Sequence, residues 1–411
     1  MDLAKVMDAR VKPAHDNKWI KSSFGVSLMY RTDTFRIPMA GPADMTTLTA
    51  LIEDGVLDPM HIVAILVKTE GNGGVNDFTR EYTSATLAAT LAPYLRATHA
   101  EVERRIAIVV SGGTEGVLSP HATVFARTPI VNRAGTASKR LAIGTAATRD
   151  FLPHEIGRAA QIEATAAAVA AAMADAGISR AQDVHWVQVK CPLLTADRVR
   201  AARRAGHEPV TEIAYKSMAY SRGASALGVA VALGEIATPI AEDAVLSDWS
   251  LASAVASASA GIELKNNIVI VLGNAEGVGG NCVIAHAVMQ DAIDAAAVLA
   301  ALRQSGVQAD ADVAARGANS ASTDASDRRI DTSRIVQVLA KADPSPDGML
   351  RGFRHTMLDD TDISATRHAR AAVGGLIAGL IGCPAAFVSG GAEHQGPPGG
   401  GPVAVIARVS E

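Results

Sequence analysis

Cysteine is scarce in this chain of 411 residues: Cys191, Cys282 and Cys383 lie far apart and form no Cys-x-x-Cys pair. An odd, scattered set argues against a disulfide framework or a zinc knuckle, and a reducing cytoplasm is the expected compartment. An excess of one charge is also missing. With 38 Lys and Arg against 42 Asp and Glu, the formal net charge is −4, so nothing overall favours nucleic acid or an anionic membrane as partner. No segment holds the roughly 18 strongly apolar residues of a membrane span; the Ala-rich "ATAAAVAAAMADAG" is interrupted by Asp. Residues 1–28 are basic and mixed, without the apolar run and cleavage site of an export signal. No His-Glu-x-x-His occurs, and His121, His286, His355, His368 and His394 are scattered, which suits structural roles better than a zinc centre. "SGGTEG" lacks the spacing of a phosphate-binding loop, and "GNAEGVGGN" lacks the acidic ribose partner of a dinucleotide fingerprint. What remains is a 48% hydrophobic chain, able to fill sizeable cores and expected to handle a small molecule.

Internal repetition is the strongest positive signal. "TTLTALIEDGVLDPMHIVAILVK" has a helix-period apolar pattern, a Gly stop, a turn, and a β-branched run closed by Lys68. "TAAAVAAAMADAGISRAQDVHWVQVK" repeats this order to Lys190. "AAAVLAALRQSGV" does so again and resumes, after an insertion, as "SRIVQVLAK" at Lys341. A polar or Pro/Gly loop follows each lysine, and an arginine then opens a small-residue helix: Arg80, Arg222, and either Arg367 or Arg370. A second apolar run delivers Ser111 in "VVSGGTEG", Ser259 in "SAGIE" and Ser389 in "SGGAE". The order Lys, Arg, Ser three times over predicts an α/β fold of three homologous units, 29–130, 138–276 and 282–411, each with helices on one side of its strands. Residues 308–333, rich in Ala, Ser and Asp, are expected to form a mobile surface insertion. Arranged about a pseudo-threefold axis, the strand ends would share one central pocket for a small planar ligand.

The residue types specify acyl transfer. A serine becomes a nucleophile when a base takes its proton, and a lysine can be that base once burial or neighbouring cations lower its pKa. Arginine forks suit ring carbonyls, and backbone N–H groups at the step after each serine, Ser111-Gly112, Ser259-Ala260 and Ser389-Gly390, suit an oxyanion. The tail "GGAEHQGPPGGGP" is compact enough to aim carbonyls at a hard cation such as Mg²⁺ or Ca²⁺.

"KTEGNGGVNDFTREY", "SGGTEGVLSPH", "VQVKCPLLT", "YSRGASALG", "ASASAGIEL", "RHTMLDDTDI" and "VSGGAEHQGPPGGGP" resemble the ring-opening amidohydrolases, the family of cyanuric acid hydrolase and barbiturase, over nearly all of residues 29–411. The resemblance implies three units about a pseudo-threefold axis, a homotetramer, and hydrolysis of a small cyclic amide without a catalytic cofactor. It assigns Lys190 as general base and Ser259 as nucleophile. Ser111, Ser389, Lys68 and Lys341 would hold the ring, with Arg80, Arg222 and Arg370 on its carbonyls; Arg370 is preferred to Arg367. A structural divalent cation would sit at Asp343, where glutamate is the family's expected residue, and at the turn through Ala392, Gln395, Gly396, Pro397 and Gly400. "TRHARAAVGG" and "SGGAEHQGP" look like cyanuric acid hydrolases, whereas "GNAEGVGGN" and "VALGEI" look like barbiturases. Opening of cyanuric acid to carboxybiuret, and thence biuret and CO₂, is the expected reaction. Barbiturate opening to ureidomalonate is the alternative, and a non-catalytic binder of a planar cyclic imide is the alternative of another class.

Overall fold

The computed structural model describes residues 28–131, 138–241, 243–309 and 330–409. The N-terminal extension up to residue 27 and most of the 308–333 insertion lie outside them. The first stretch runs β1 (Leu28–Pro38), α1 (Thr46–Glu53), β2 (Ile62–Thr69), α2 (Phe78–Leu95), α3 (His99–Arg105), β3 (Ala107–Gly112) and β4 (His121–Val131). The second runs β5 (Arg140–Ala147), α4 (Ala159–Ala176), β6 (Val184–Pro192), α5 (Ala196–Arg204), α6 (Ala214–Ala232), β7 (Ala256–Gly261) and β8 (Ile268–Ala275). The third runs β9 (Cys282–Met289), α7 (Ala295–Gln304), β10 (Ile335–Ala342), the short hairpin β11 (Met349–Leu350) and β12 (Phe353–Arg354), α8 (Ala365–Ile381), β13 (Phe387–Gly390) and β14 (Gly401–Arg408).

Each stretch builds a four-stranded sheet, in the orders β1-β4-β2-β3, β5-β8-β6-β7 and β9-β14-β10-β13. The order is the same three times. In each sheet the lysine strand runs parallel to the serine strand, joined by a helical crossover as parallel pairing requires, and antiparallel to β4, β8 or β14.

Both faces of the central strands are buried, so β2 and β10 read as near-continuous apolar runs rather than alternating ones. One face packs on the helices. Ile65 and Val67 of β2 meet Leu87 and Leu91 of α2, and Val187 and Val189 of β6 share a cluster with Ala168, Val169 and Ala172 of α4. The opposite faces of all three sheets meet one another in a separate cluster: Leu66, Val109 and Phe125 from the first, Trp186, Ile270 and Leu272 from the second, Leu339, Phe387 and Ile406 from the third. Each large side chain fully buried there contributes about 1.5–3 kcal/mol, and this cluster binds the three sheets into one body.

One sequence expectation needs correction. Arg222 does not open its helix: α6 starts at Ala214, eight residues earlier. No breaker stands between Ala214 and Ser221, so once nucleated the helix propagates through. Ser217 ties that first turn to the strand-end loop, its hydroxyl accepting from Leu194 N–H at 2.9 Å and donating to the Ala214 carbonyl at 2.7 Å.

Candidate active site

Strand alternation decides what reaches the centre. On β2, Ala64 and Leu66 face the inter-sheet cluster, and two residues on the same face carries Lys68. On β3, Val109 is followed on that face by Ser111. Trp186 precedes Lys190 by four residues on β6, Leu339 precedes Lys341 by two, and Phe387 precedes Ser389 by two. Parallel register places each lysine beside its serine, as Lys68 with Ser111, Lys190 with Ser259 and Lys341 with Ser389. The lysines are not solvated flanks, since none is more than 2% exposed.

The three pairs differ. Lys68 Nζ lies 3.3 Å from Ser111 Oγ and donates to the Gly112 carbonyl at 3.1 Å. Lys341 Nζ lies 3.3 Å from Ser389 Oγ and reaches the carbonyls of Gly390 at 3.0 Å and Ala258 at 2.9 Å. Lys190 Nζ donates instead to the Val110 carbonyl at 2.9 Å and pairs with Glu263 Oε1 at 3.3 Å. Ser259 Oγ is buried and has no hydrogen-bond partner among the described residues.

The arginines form a cyclic set of contacts with glutamates. Arg370 of α8 forks onto Glu115 through Nε, at 2.8 Å, and Nη2. Arg222 forks onto Glu393 through Nε at 2.7 Å and Nη2 at 2.5 Å. Arg80 of α2 donates to the Gly74 carbonyl at 2.9 Å, and its Nε lies 3.6 Å from Glu263. Each glutamate stands four residues after a serine, in "SGGTE", "SAGIE" and "SGGAE", and each meets the arginine of a different sheet's helix. The glycines of these motifs make the contacts feasible. Gly113, at φ +103°, and Gly391, at φ +75°, lie against the Arg370 and Arg222 guanidiniums, where a Cβ would approach within 2.6 Å and 2.5 Å. Sequence reasoning passed over these glutamates, although their spacing after each serine was a usable signal.

Arg80, Ser111, Gly112, Lys190, Arg222, Ser259, Ala260, Arg370, Ser389 and Gly390, with Gly73 and Met218, line one cleft of about 300 Å³ including its open mouth. Lys68 and Lys341 stand behind their serines. Arg367 lies outside the cleft, its Nε reaching the Asn72 carbonyl at 3.3 Å. Burial is the first cause of every lysine shift; arginine charge comes second for Lys68 and Lys341, whereas at Lys190 the Glu263 carboxylate comes before Arg80. Lys68 is pushed well below its ordinary value by burial and then by Arg370. Lys341 is pushed down to about 7 by burial and Arg222. Burial also lowers Lys190, while Glu263 pulls it back up and Arg80 lowers it. Burial by itself would raise the Glu263 carboxyl, but Lys190 and Arg80 hold it below its ordinary range.

The expected cation residues gather at the end of β10. Asp343 Oδ2 accepts from Ala392 N–H at 3.1 Å, and burial, then repulsion from Glu393, pushes its carboxyl up to about 6. The Gln395 side chain is engaged elsewhere, accepting from Ala258 N–H at 2.7 Å and donating to the Gly391 and Glu393 carbonyls. Gly400 N–H bonds the Pro397 carbonyl, and Gly396 takes φ +88°. Among the described residues no three His, Cys, Asp or Glu side chains cluster as a metal site. His394 is structural: one ring nitrogen bonds the Leu251 carbonyl and the other accepts from Leu246 N–H.

Buried lysines registered beside serines, with arginines on the same cleft, suit a hydrolase of cyclic amides, and the chain belongs to the ring-opening amidohydrolase family, whose model matches residues 33–408. It is 61% identical over 378 residues to the cyanuric acid amidohydrolase of Bradyrhizobium diazoefficiens, covering 92% of this chain and 98% of that one. The cyanuric acid amidohydrolase of Pseudomonas sp. strain ADP is 54% identical, with 93% of this chain and all of that one covered. A solved cyanuric acid hydrolase superposes with a TM-score of 0.85 at 54% identity, over 93% of this chain and 100% of that chain. That from A. caulinodans gives 0.81 at 47%, again over 93% and 100%. Among the described residues no helix is long and apolar enough to cross a membrane.

Proposed function

We propose that this protein opens the ring of cyanuric acid hydrolytically, giving carboxybiuret, which loses CO₂ to become biuret. The carrying observation is the single cleft lined by three serines, each registered beside a buried lysine, and three arginines. Three units of equal strand order about a pseudo-threefold axis match a ring with three carbonyls alternating with three N–H groups. Barbiturate keeps three ring carbonyls but carries a CH₂ in place of one N–H, so its ring matches the threefold set less completely. Three buried lysines are of little use to a mere binder of a neutral ring, so the reading is an enzyme.

Neutral Lys190 takes the Ser259 proton while Oγ bonds to a ring carbonyl carbon. Backbone N–H groups at the Ser259-Ala260 step and the arginines hold the oxyanion. The ring C–N bond then breaks, and the Lys190 ammonium protonates the leaving nitrogen. Water adds to the resulting carbamate ester, the Ser259 Oγ–C bond breaks, and the hydroxyl and amine are regenerated. Ser259 Oγ, without a hydrogen-bond partner among the described residues and registered beside Lys190, supports this choice, since its lone pairs are not committed elsewhere. Incubation of purified protein with cyanuric acid and, separately, with barbituric acid tests the reading. Loss of ring absorbance with biuret formation is expected for the first, and no loss with cyanuric acid overturns it.

A structural divalent cation fits Asp343 and the turn through Ala392, Gln395, Gly396, Pro397 and Gly400. A buried carboxyl pushed up beside Glu393 is one that a cation would relieve. It would brace the turn that carries Glu393, and no chemical step needs it. Added Mg²⁺ or Ca²⁺ should raise the melting temperature, and Asp343→Ala should abolish that rise; an equal rise in the variant counts against the site.

A further inference from the structure

Three corners with the same parts pose a problem of choice: something must make one lysine–serine pair the reactive one. The glutamates differ in a way that bears on it. Glu115 and Glu393 give both carboxylate oxygens to one arginine. Glu263 does not. Its Oε1 lies 3.3 Å from Lys190 Nζ and 3.6 Å from Arg80 Nε, which has no hydrogen-bond partner among the described residues. Among the described residues, Lys190 is the only one of the three lysines with a carboxylate in ion-pair reach.

The second corner is also built to hold this carboxylate still. Arg198 of α5 donates to the Leu264 carbonyl at 2.7 Å and the Ile262 carbonyl at 3.4 Å, clamping the backbone on both sides of Glu263. The Glu263 side chain folds back over Gly261, where a Cβ would meet its carboxylate at 2.2 Å. Bulk at 261 would push it off the lysine.

We infer that Glu263 is a positioning residue for Lys190, completing a Ser259–Lys190–Glu263 array that singles out the second corner as the reactive one. The inference rests on the proposed ring-opening reading. The Ser259 O–H bond breaks and its proton passes to the Lys190 lone pair; the ammonium so formed lies against Glu263, which stabilises it and takes no proton. The proton then goes to the leaving ring nitrogen. Lys68 and Lys341 have no such carboxylate and serve to hold their serines. The charged and titratable groups facing Lys190 are Glu263, Arg80 and Cys191, and Arg198 faces Glu263 from α5.

The test is the pH profile of kcat/KM for cyanuric acid. Glu263 favours the charged lysine, so Glu263→Gln moves the acid limb to lower pH. It also lowers the alkaline plateau about 10²-fold or more, because the ammonium formed in the reaction loses its counter-charge. Glu115→Gln and Glu393→Gln raise KM and leave the limb in place. Glu263→Asp, a guard against misfolding of the amide variant, moves the limb the same way by less and lowers kcat more than it raises KM. An unmoved limb in both Glu263 variants, or an equal move in the Glu115 and Glu393 variants, overturns the inference. Ser259→Ala separates the two failures: wild-type turnover in it removes the nucleophile reading itself, whereas an inactive Ser259→Ala beside an unmoved limb removes only the role of Glu263.

Discussion

At the residue scale, the three serines look alike in sequence and differ in their surroundings. Ser111 and Ser389 each have a lysine Nζ at 3.3 Å, while Ser259 Oγ has no hydrogen-bond partner among the described residues. On the proposed reading Ser259→Ala abolishes turnover with the fold retained by circular dichroism, and Ser111→Ala and Ser389→Ala retain more activity and bind the ring less tightly. Normal turnover by Ser259→Ala with a dead Ser111→Ala reverses the assignment. Arg370→Lys keeps the charge and loses the fork onto Glu115; KM for cyanuric acid is expected to rise about tenfold or more, as for one charge-assisted contact, and an unchanged KM removes Arg370 from ring binding. The lysines and serines were legible because each recurs at the same place in a repeated pattern. The glutamates recur as regularly but went unread, since a carboxylate after a glycine turn has the appearance of a solvated group. Their arginine partners come from distant segments, and no local spacing reveals such a pairing.

Elements were legible where periodicity and stops agreed. The helix–turn–strand units ending at Lys68, Lys190 and Lys341 follow from a 3.6-residue pattern, a glycine near the helix end and a β-branched run. The start of α6 was not, because the small residues around Arg222 continue a helix that lacks a side-chain cap. Those small residues have a packing reason. Gly228 lies so close to α4 that a Cβ would meet the Ile162 carbonyl and Thr165 Cβ, each at 2.6 Å. Both contacts are with backbone or a stiff β-branched carbon, so the helices must part. Gly228→Ala should therefore destabilise by about 1–3 kcal/mol, read as a lowered urea midpoint. A neutral or raised midpoint would show that α4 and α6 can separate at little cost.

For the whole molecule, the order of strands within each sheet was not readable from the chain, nor was the way three inner faces share one cluster. Both arise from contacts between segments far apart in sequence. That cluster ends at the buried lysines, and it gives the protein a pH signature. Lys68 has its pKa depressed by burial in the folded state, against about 10.4 when unfolded. Between the two values the unfolded chain binds the extra proton, so unfolding free energy rises with pH through that window and levels off below the folded value and above the unfolded one. Lys68→Met should flatten the rise of the urea midpoint on the acid side of about 10.4; an unchanged slope means that the buried amine is not what titrates.

The cyclic handshake of arginines and glutamates reaches further than the grip on a ring. Each arginine meets the glutamate of another sheet's motif, so no third of the chain could close these contacts alone. A trimer of identical single units could close the same circle, but any change in one corner would then appear in all three. Written as one polypeptide, the circle admits a private exception. Glu263, turned toward its lysine while its two counterparts embrace arginines, is that exception.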